Sequence, residues 1–441
     1  LAGIFPLKIK ITQISALQIF QLIRFSTLIL IGVVFSKSGL STSAIGQYET
    51  FLLIAGAVSF FWLNGLIQGF LPSNSEQAVS KKSSSLFSVF YLLVMFSGMA
   101  VVFILLFEHS ISGFLLKGAA IPFVKYLLVY ILISSPASLV EYIYLIKKQG
   151  QMILIYGIIS FLLMFLFVVL PPVLGLSLEY SMLGLVISAA FRFSWLLVML
   201  FRNSSPIPDY VFIRSQLRRS APLVFSMFLS GSAQYIDGFI ITAYFDDATF
   251  AVYRFGAREF PLVLLLANAF SSSMLPGFAE SAAFKSNLEK IRQNSQQLGL
   301  WLFPMSAFFM ILSHGVFPLL FNVSFSGSAT IFNIYLLLIV SRLVFPQTIL
   351  IGIQKTGAIM WASVAEIVAN VALSLWFVTF LGLPGVAYGT LCAYILEKCI
   401  LMVFVRKNCG IAISTYLNVK RHLLYSLLLL LVFIVIEFII Y

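Results

Sequence analysis

Long apolar runs broken by short polar stretches recur along the whole chain. A helix needs about 20 such residues to cross a hydrocarbon core. The pattern predicts thirteen helices: 14–36, 46–71, 86–107, 123–146, 152–175, 180–202, 220–245, 251–275, 298–320, 330–352, 357–381, 384–406 and 421–440. A transmembrane β-barrel would alternate instead over segments of about 10 residues, and the runs here do not. No loop is long enough for a separate soluble domain. The longest, 202–220 and 276–297, read as surface helices or connectors.

The second half of the chain echoes the first at a spacing of about 205 residues, the mark of an internal repeat. Tyr48 opens an apolar segment that closes at Leu71, Pro72 and Glu76; Tyr253 opens one that closes at Leu275, Pro276 and Glu280. Ile146 to Gly150 is matched by Ile353 to Gly357, and Gly184 to Arg202 by Gly389 to Arg406. The expected organisation is an all-α polytopic membrane protein with two pseudo-symmetric six-helix lobes, 1–205 and 206–408, and an additional C-terminal helix in 409–441. Two lobes that rock around a site between them are a common plan for a transporter.

Composition agrees: 61% of residues are hydrophobic and 10% charged, against about 45–50% and about 25% in soluble domains. The net charge of +12 would suggest nucleic acid in a soluble protein. Here the cations collect in alternate loops, at Lys81, Lys82, Lys147, Lys148, Arg214, Arg218, Arg219, Lys285, Lys290, Arg292, Lys355, Arg406, Lys407, Lys420 and Arg421. Lys8 and Lys10 share that side, which the positive-inside rule makes cytoplasmic, N-terminus included. No nucleic-acid partner is expected. The opposite loops carry Glu108, Glu179, Asp246 and Asp247 and few cations. Cys392 and Cys399 read as small core residues, and His109, His314 and His422 lie near expected helix ends. With no CxxC or His cluster, neither a metal nor a cofactor is expected. No cleavable signal peptide is read, because the first helix is too long and carries Arg24. Thirteen helices put the C-terminus outside, and a further helix would fit beyond the last apolar run.

Ionisable groups at bilayer depth are costly and face partners or water-filled cavities. Arg24 sits near the middle of the first helix; Glu49, Asn64 and Gln68 share a face of the second. In the seventh, Ser226, Ser230, Asp237 and Tyr244 fall within about 40° of one another, and Arg254, Arg258, Asn268 and Ser272 form a stripe on the eighth. Asp237 and Arg258 lie at similar depth, about 12 Å from the outer end, so Asp237 is expected to pair with Arg254 or Arg258. Arg24, Arg254 and Arg258 outnumber the nearby carboxylates Asp237 and Glu259, and a cationic surplus calls for an anionic guest. Arginine suits phosphate through its planar fork of donors. Arg192, Arg342, Glu366, Glu397 and Lys398 lie nearer the cytoplasmic side. Glu366 and Glu397 read either as a carboxylate site for a coupling cation or as partners of Arg or Lys across helices. Glu141 is expected to snorkel, and Glu437 has no partner in this reading. Pro136, Pro222, Pro261, Pro304, Pro318 and Pro346 should bend or end their helices.

Ser220 to Leu223, Tyr235 to Asp237, Phe250 to Arg254 and Phe270 to Pro276 resemble the seventh and eighth helices of the polysaccharide (O-antigen-type, Wzx-like) flippases, within the multidrug/oligosaccharidyl-lipid/polysaccharide (MOP) exporter superfamily. Gln21 to Phe35, and Gly46 to Tyr48 through Leu71 and Pro72, resemble their first two helices. The resemblance covers essentially the whole chain. It implies a V-shaped transporter in the bacterial inner membrane, with a cationic cavity lined by helices one, two, seven and eight. It also implies movement of an undecaprenyl-pyrophosphate-linked oligosaccharide to the outer leaflet by alternating access, without enzymatic chemistry. Arg24, Arg254, Arg258, Asp237, Asn64, Gln68 and Asn268 are the candidate substrate contacts, and Asp237, Glu259, Glu366 and Glu397 the candidates for coupling a proton or Na+. A polysaccharide polymerase is a candidate partner, besides the membrane lipid. Arg24, Arg258 and Glu259 also resemble a pattern in lipid II flippases, which have fourteen helices. A lipid II-type flippase and a multidrug/cation antiporter are the alternatives. A membrane-embedded polymerase or glycosyltransferase would need a sizeable outer loop.

Overall fold

The exterior of this chain is apolar, and its mainly hydrophobic core also holds small polar residues. Phe114, Leu106, Trp301 and Trp361 are largely exposed, while Ser88, Ser97, Ser181, Ser374 and Asn333 are buried. Such an apolar exterior around a core containing small polar residues suits a lipid environment, where small residues let helices approach. The computed structural model of the chain describes residues 13–71, 84–258, 267, 270–271, 274, 284–353 and 355–441. Among these there are helices and no strands. Eleven helical stretches are long and apolar enough to cross a membrane, or up to twelve if one bent pair counts as a span. The chain is therefore a multi-pass membrane protein.

The first helices are α1 (Gln13–Lys37), α2 (Thr42–Phe70), α3 (Ser84–Leu115), α4 (Val124–Ala137), α5 (Leu139–Ile146), α6 (Gly150–Val173) and α7 (Leu178–Asn203). There follow α8 (Tyr210–Gly231), α9 (Ala233–Tyr244), α10 (Asp247–Gly256) and α11 (Phe284–Leu320). The remainder comprises α12 (Ser328–Leu336), α13 (Ile339–Arg342), α14 (Pro346–Gly352), α15 (Thr356–Leu381), α16 (Leu383–Cys409), α17 (Ile413–Tyr416) and α18 (Val419–Val435), closed by a π turn at Ile436–Ile440.

Several expected segments are subdivided. The seventh breaks between α8 and α9, so Ser226 and Ser230 of α8 no longer share a continuous face with Asp237, whereas Tyr244 stays on α9 with it. The eighth opens with α10, which ends at Gly256; Pro261, Ser272 and most of the rest lie outside the described residues. Proline acts unevenly. Pro136 sits at the break between α4 and α5, and Pro346 starts α14. Pro222, Pro304 and Pro318 lie within helices that continue through them, as membrane helices tolerate when the freed backbone groups find other partners. Cys399 is exposed rather than in the core, and His314 lies within α11.

Contacts divide the chain into two compact units: Leu1–Leu40, Ile54–His109 and Ile121–Met227 in one, and Ser41–Leu53, Ser110–Ala120 and Phe228–Tyr441 in the other. Each unit contains one copy of a matched helix contact from the sequence repeat. In the first, Gly184 of α7 meets the backbone of α6, where an added Cβ would lie 2.1 Å from the Phe167 oxygen. In the second, Gly389 of α16 meets α15, where a Cβ would lie 2.6 Å from the Ser374 nitrogen. The lysine-bearing turns that match in sequence also recur, between α5 and α6 and between α14 and α15.

Gly184→Ala should therefore destabilise the first unit by about 1–3 kcal/mol through backbone overpacking. Gly98→Ala, where nothing lies within 4 Å of the added Cβ, should be neutral or stabilising. Thermal unfolding of the two variants in detergent checks the contrast.

Candidate functional site

Two charged constellations occupy the second unit. The first joins α2 to α10. Asp246 caps α10, its Oδ1 accepting from the Thr249 backbone N–H at 2.8 Å, and so fixes where the helix begins. Two turns on, Arg254 and Arg258 follow at a spacing of four, although α10 has already closed at Gly256. Both arginines meet Glu49. Arg258 Nη2 donates to Glu49 Oε1 at 2.8 Å, and Arg254 Nε lies 3.5 Å from Oε2. The Glu49 side chain is only 3% exposed, against 17% for Arg258 and 35% for Arg254. The Arg258 guanidinium also lies 4.9 Å from the Phe255 ring centroid. Among the described residues two cations thus share one carboxylate.

The second constellation surrounds Asp237 on α9, which is 4% exposed. Its Oδ2 accepts from Tyr335 Oη at 2.5 Å, Thr390 Oγ1 at 2.6 Å and Tyr253 Oη at 3.1 Å; Oδ1 accepts from Asn370 Nδ2 at 3.3 Å. These donors come from α12, α16, α10 and α15, and all four are neutral. The expected pairing of Asp237 with Arg254 or Arg258 is therefore replaced: the arginines turn to Glu49, and hydroxyl and amide groups hold Asp237. Similar depth did not bring the residues to one side of their helices. Asn370 also donates to Thr390 Oγ1 at 3.0 Å, while its own Oδ1, fully buried, receives no hydrogen bond. The Val386 carbonyl accepts from Ser374 Oγ at 3.2 Å. Four neutral donors thus hold the carboxylate, and no fixed cation is among its hydrogen-bond partners in the described residues.

The other expected residues are dispersed. Arg24 is exposed on α1, in the first unit. Asn64 Nδ2 donates to the Phe60 carbonyl at 2.7 Å, and Gln68 Nε2 lies 3.8 Å from Met227 sulfur, both in that unit. Glu259 and Asn268 lie outside the described residues. Glu397 pairs at 3.0 Å with its sequence neighbour Lys398, rather than across helices; Glu366 is buried on α15. Glu141 does not snorkel: it is 3% exposed and lies 4.0 Å from Arg192, which donates to Tyr156 Oη at 3.0 Å. Glu437 accepts from Asn333 Nδ2 at 2.6 Å and meets His314 Nε2 at 2.9 Å. Tyr335, Asn370 and Thr390 escaped the sequence reading because they lie on helices whose polar faces it did not follow, and the role of Tyr253 escaped it too. A signal existed: Glu366, Asn370 and Ser374 recur every four residues on α15, and all three are buried.

The described residues are helical, with charged sites inside membrane helices, and solved structures of MOP-type transporters share the fold. The lipid II flippase MurJ in an inward closed conformation aligns with a TM-score of 0.65 at 16% identity, over 95% of this chain and 92% of that one. An outward-facing multidrug resistance MATE transporter gives 0.56 at 16% identity, over 92% and 96%. A MOP superfamily transporter from Pyrococcus furiosus, whose binding pocket is described as having reverse polarity, gives 0.55 at 14%, over 91% and 94%. No curated protein matches the sequence. Residues 40–330 match the family model described as polysaccharide biosynthesis protein, and the chain belongs to that family.

The Asp246 cap makes a pH prediction. Hydrogen bonds from Thr249, side chain first and then backbone, lower its carboxyl below the ordinary value. A lowered folded-state value means that its stabilisation is complete above the unfolded value of about 3.9 and is lost as pH falls through the folded value. Asp246→Ala should cost about 1 kcal/mol at neutral pH. Asp246→Asn should keep the cap but remove its share of the acid dependence. Thermal unfolding of both variants between acid and neutral pH measures this.

Proposed function

We propose that the chain is a flippase of the bacterial inner membrane, with its N-terminus in the cytoplasm. It moves an undecaprenyl-pyrophosphate-linked oligosaccharide, of the kind that builds O-antigen and lipopolysaccharide, from the inner to the outer leaflet. The observation that carries this reading is the sharing of one carboxylate, Glu49, by Arg254 and Arg258. Two neighbouring guanidiniums with planar donors suit a diphosphate. Membership of a polysaccharide biosynthesis family supports a saccharide cargo, and a fold shared with a protein described as a lipid II flippase supports a lipid-linked one. A carrier of cationic drugs would instead call for surplus negative charge where its cargo binds.

In this mechanism Arg254 and Arg258 of the second unit take the diphosphate; Arg24, Asn64 and Gln68 are candidate contacts within the first unit. Asn268 and Glu259 fall in the same stretch of sequence as the arginines. The polyprenyl tail stays in lipid. The duplicated halves, 1–205 and 206–408, alternate in access, with 409–441 as an added helix. Asp237 takes the coupling cation, a proton or Na+; Glu366 is a lesser candidate, and Glu397 is already neutralised by Lys398. No covalent step is involved, and a polysaccharide polymerase would consume the product.

Arg258→Ala should abolish rescue of a flippase-deletion strain: surface polymer disappears and lipid-linked repeat units accumulate. Full export by a correctly inserted Arg258→Ala protein would sink the arginine role. Asp237→Asn should retain binding of a polyprenyl diphosphate but lose the response of transport to an imposed proton or Na+ gradient, measured in proteoliposomes. An unchanged gradient response would remove Asp237 from coupling.

A further inference from the structure

Glu49 does more than neutralise two arginines. It lies at the centre of a face on which Gly46, Glu49 and Leu53 follow at spacings of three and four, one side of a helix. All three positions touch the second unit's own helices. A Cβ at Gly46 would lie 1.8 Å from the Asp247 carbonyl oxygen, so the two backbones are in direct contact. Gln47 hydrogen-bonds the Asp247 side chain. Leu53 packs on Gly238, where an added Cβ would come within 2.6 Å of the leucine. Between these contacts Glu49 uses one carboxylate oxygen for each guanidinium. One anion thus bridges two guanidiniums, as a phosphate group with several oxygens also could.

We infer that Glu49 is an internal stand-in for the substrate's diphosphate, and that exchange of one anion for the other unlatches the segment 46–53 from α9 and α10. The inference rests on the flippase reading given above. The physical reason is the low dielectric around Glu49. Once phosphate takes Arg254 and Arg258, the carboxylate would be left as an uncompensated buried charge, which is strongly destabilising. It must then leave the site, and it carries the helix face with it. Arg254 is the more exposed of the pair and gives an incoming anion its first contact. Empty, the latch is held shut by Glu49; loaded, it is released. Binding of cargo and opening of the segment thus become one event, and Glu49 sets a threshold that only an anion able to bridge both arginines can overcome.

The test uses the full chain in detergent, with Cys392, Cys399 and Cys409 replaced by Ser, and Gln47→Cys and Asp247→Cys as a cross-linking pair. The probes are a short polyprenyl diphosphate and inorganic pyrophosphate. In the parent, polyprenyl diphosphate should slow disulfide formation between positions 47 and 247. With Glu49→Gln, cross-linking should be slow even without ligand. Pyrophosphate should also bind this variant about tenfold more tightly, the equivalent of 1.4 kcal/mol of competition removed. An unchanged cross-linking rate in a parent shown to be saturated overturns the exchange, and so does equal or weaker binding by Glu49→Gln. The cross-linking arm decides alone if Glu49→Gln does not fold. Arg258→Ala separates the two readings. If the parent binds the diphosphate and Arg258→Ala does not, the flippase reading stands whatever Glu49 does. If the parent binds no polyprenyl diphosphate, both readings fall.

Discussion

A charge inside a membrane must find a partner there, and that constraint organises the charged sites in both units. Isolated ions in hydrocarbon cost several kcal/mol or more. Glu49 therefore ties α2 to the region of α10, Glu141 on α5 lies against Arg192 on α7, and Glu437 beyond α18 meets His314 on α11 and Asn333 on α12. Apolar packing among membrane helices is tolerant of rotation and sliding, because lipid tails are as apolar as the side chains. The polar contacts remove that freedom. They specify which face of each helix looks inward.

The second unit satisfies its two central carboxylates by opposite means. Glu49 is held by two cations. Asp237 is held by hydroxyl and amide donors, whose hydrogens can reorient or give way to a cation. Tyr253 links the two chemically distinct sites through the chain: it donates to Asp237 and stands next to Arg254 on α10. A shift of α10 moves both sites together. Such a short helix, capped at one end by Asp246, suits the task better than a long rod.

The helices were legible because hydropathy is a local property of the chain. At two matched positions of the sequence, Gly184 and Gly389, the physical demand is the same: each lets two helix backbones touch. The pairing of charges was less legible. Glu49 and Arg258 are 209 residues apart, and their partnership depends on how helices rotate about their axes. The break between α8 and α9 further spoils any face counted across it. The cage around Asp237 is built from Tyr253, Tyr335, Asn370 and Thr390, which look unremarkable singly. Their meaning comes from convergence at one carboxylate.

The length of α11 sets one more condition. Its 37 residues, Phe284–Leu320, extend about 55 Å at 1.5 Å per residue, well beyond a hydrocarbon core of about 30 Å. Lys285, Glu289, Lys290 and Arg292 crowd its first turns, whereas Trp301, Phe308 and Ile311 are exposed farther along. The helix thus works as a depth gauge. Its charged turns must stay in the headgroup layer while its aromatic and aliphatic stretch stays in oil. Because the rod is continuous, a thinner or thicker bilayer cannot be met by sliding one part of it past another. It must be met by tilt or by deforming the lipid. Membrane thickness therefore bears directly on the orientation of this helix and on what is packed against it.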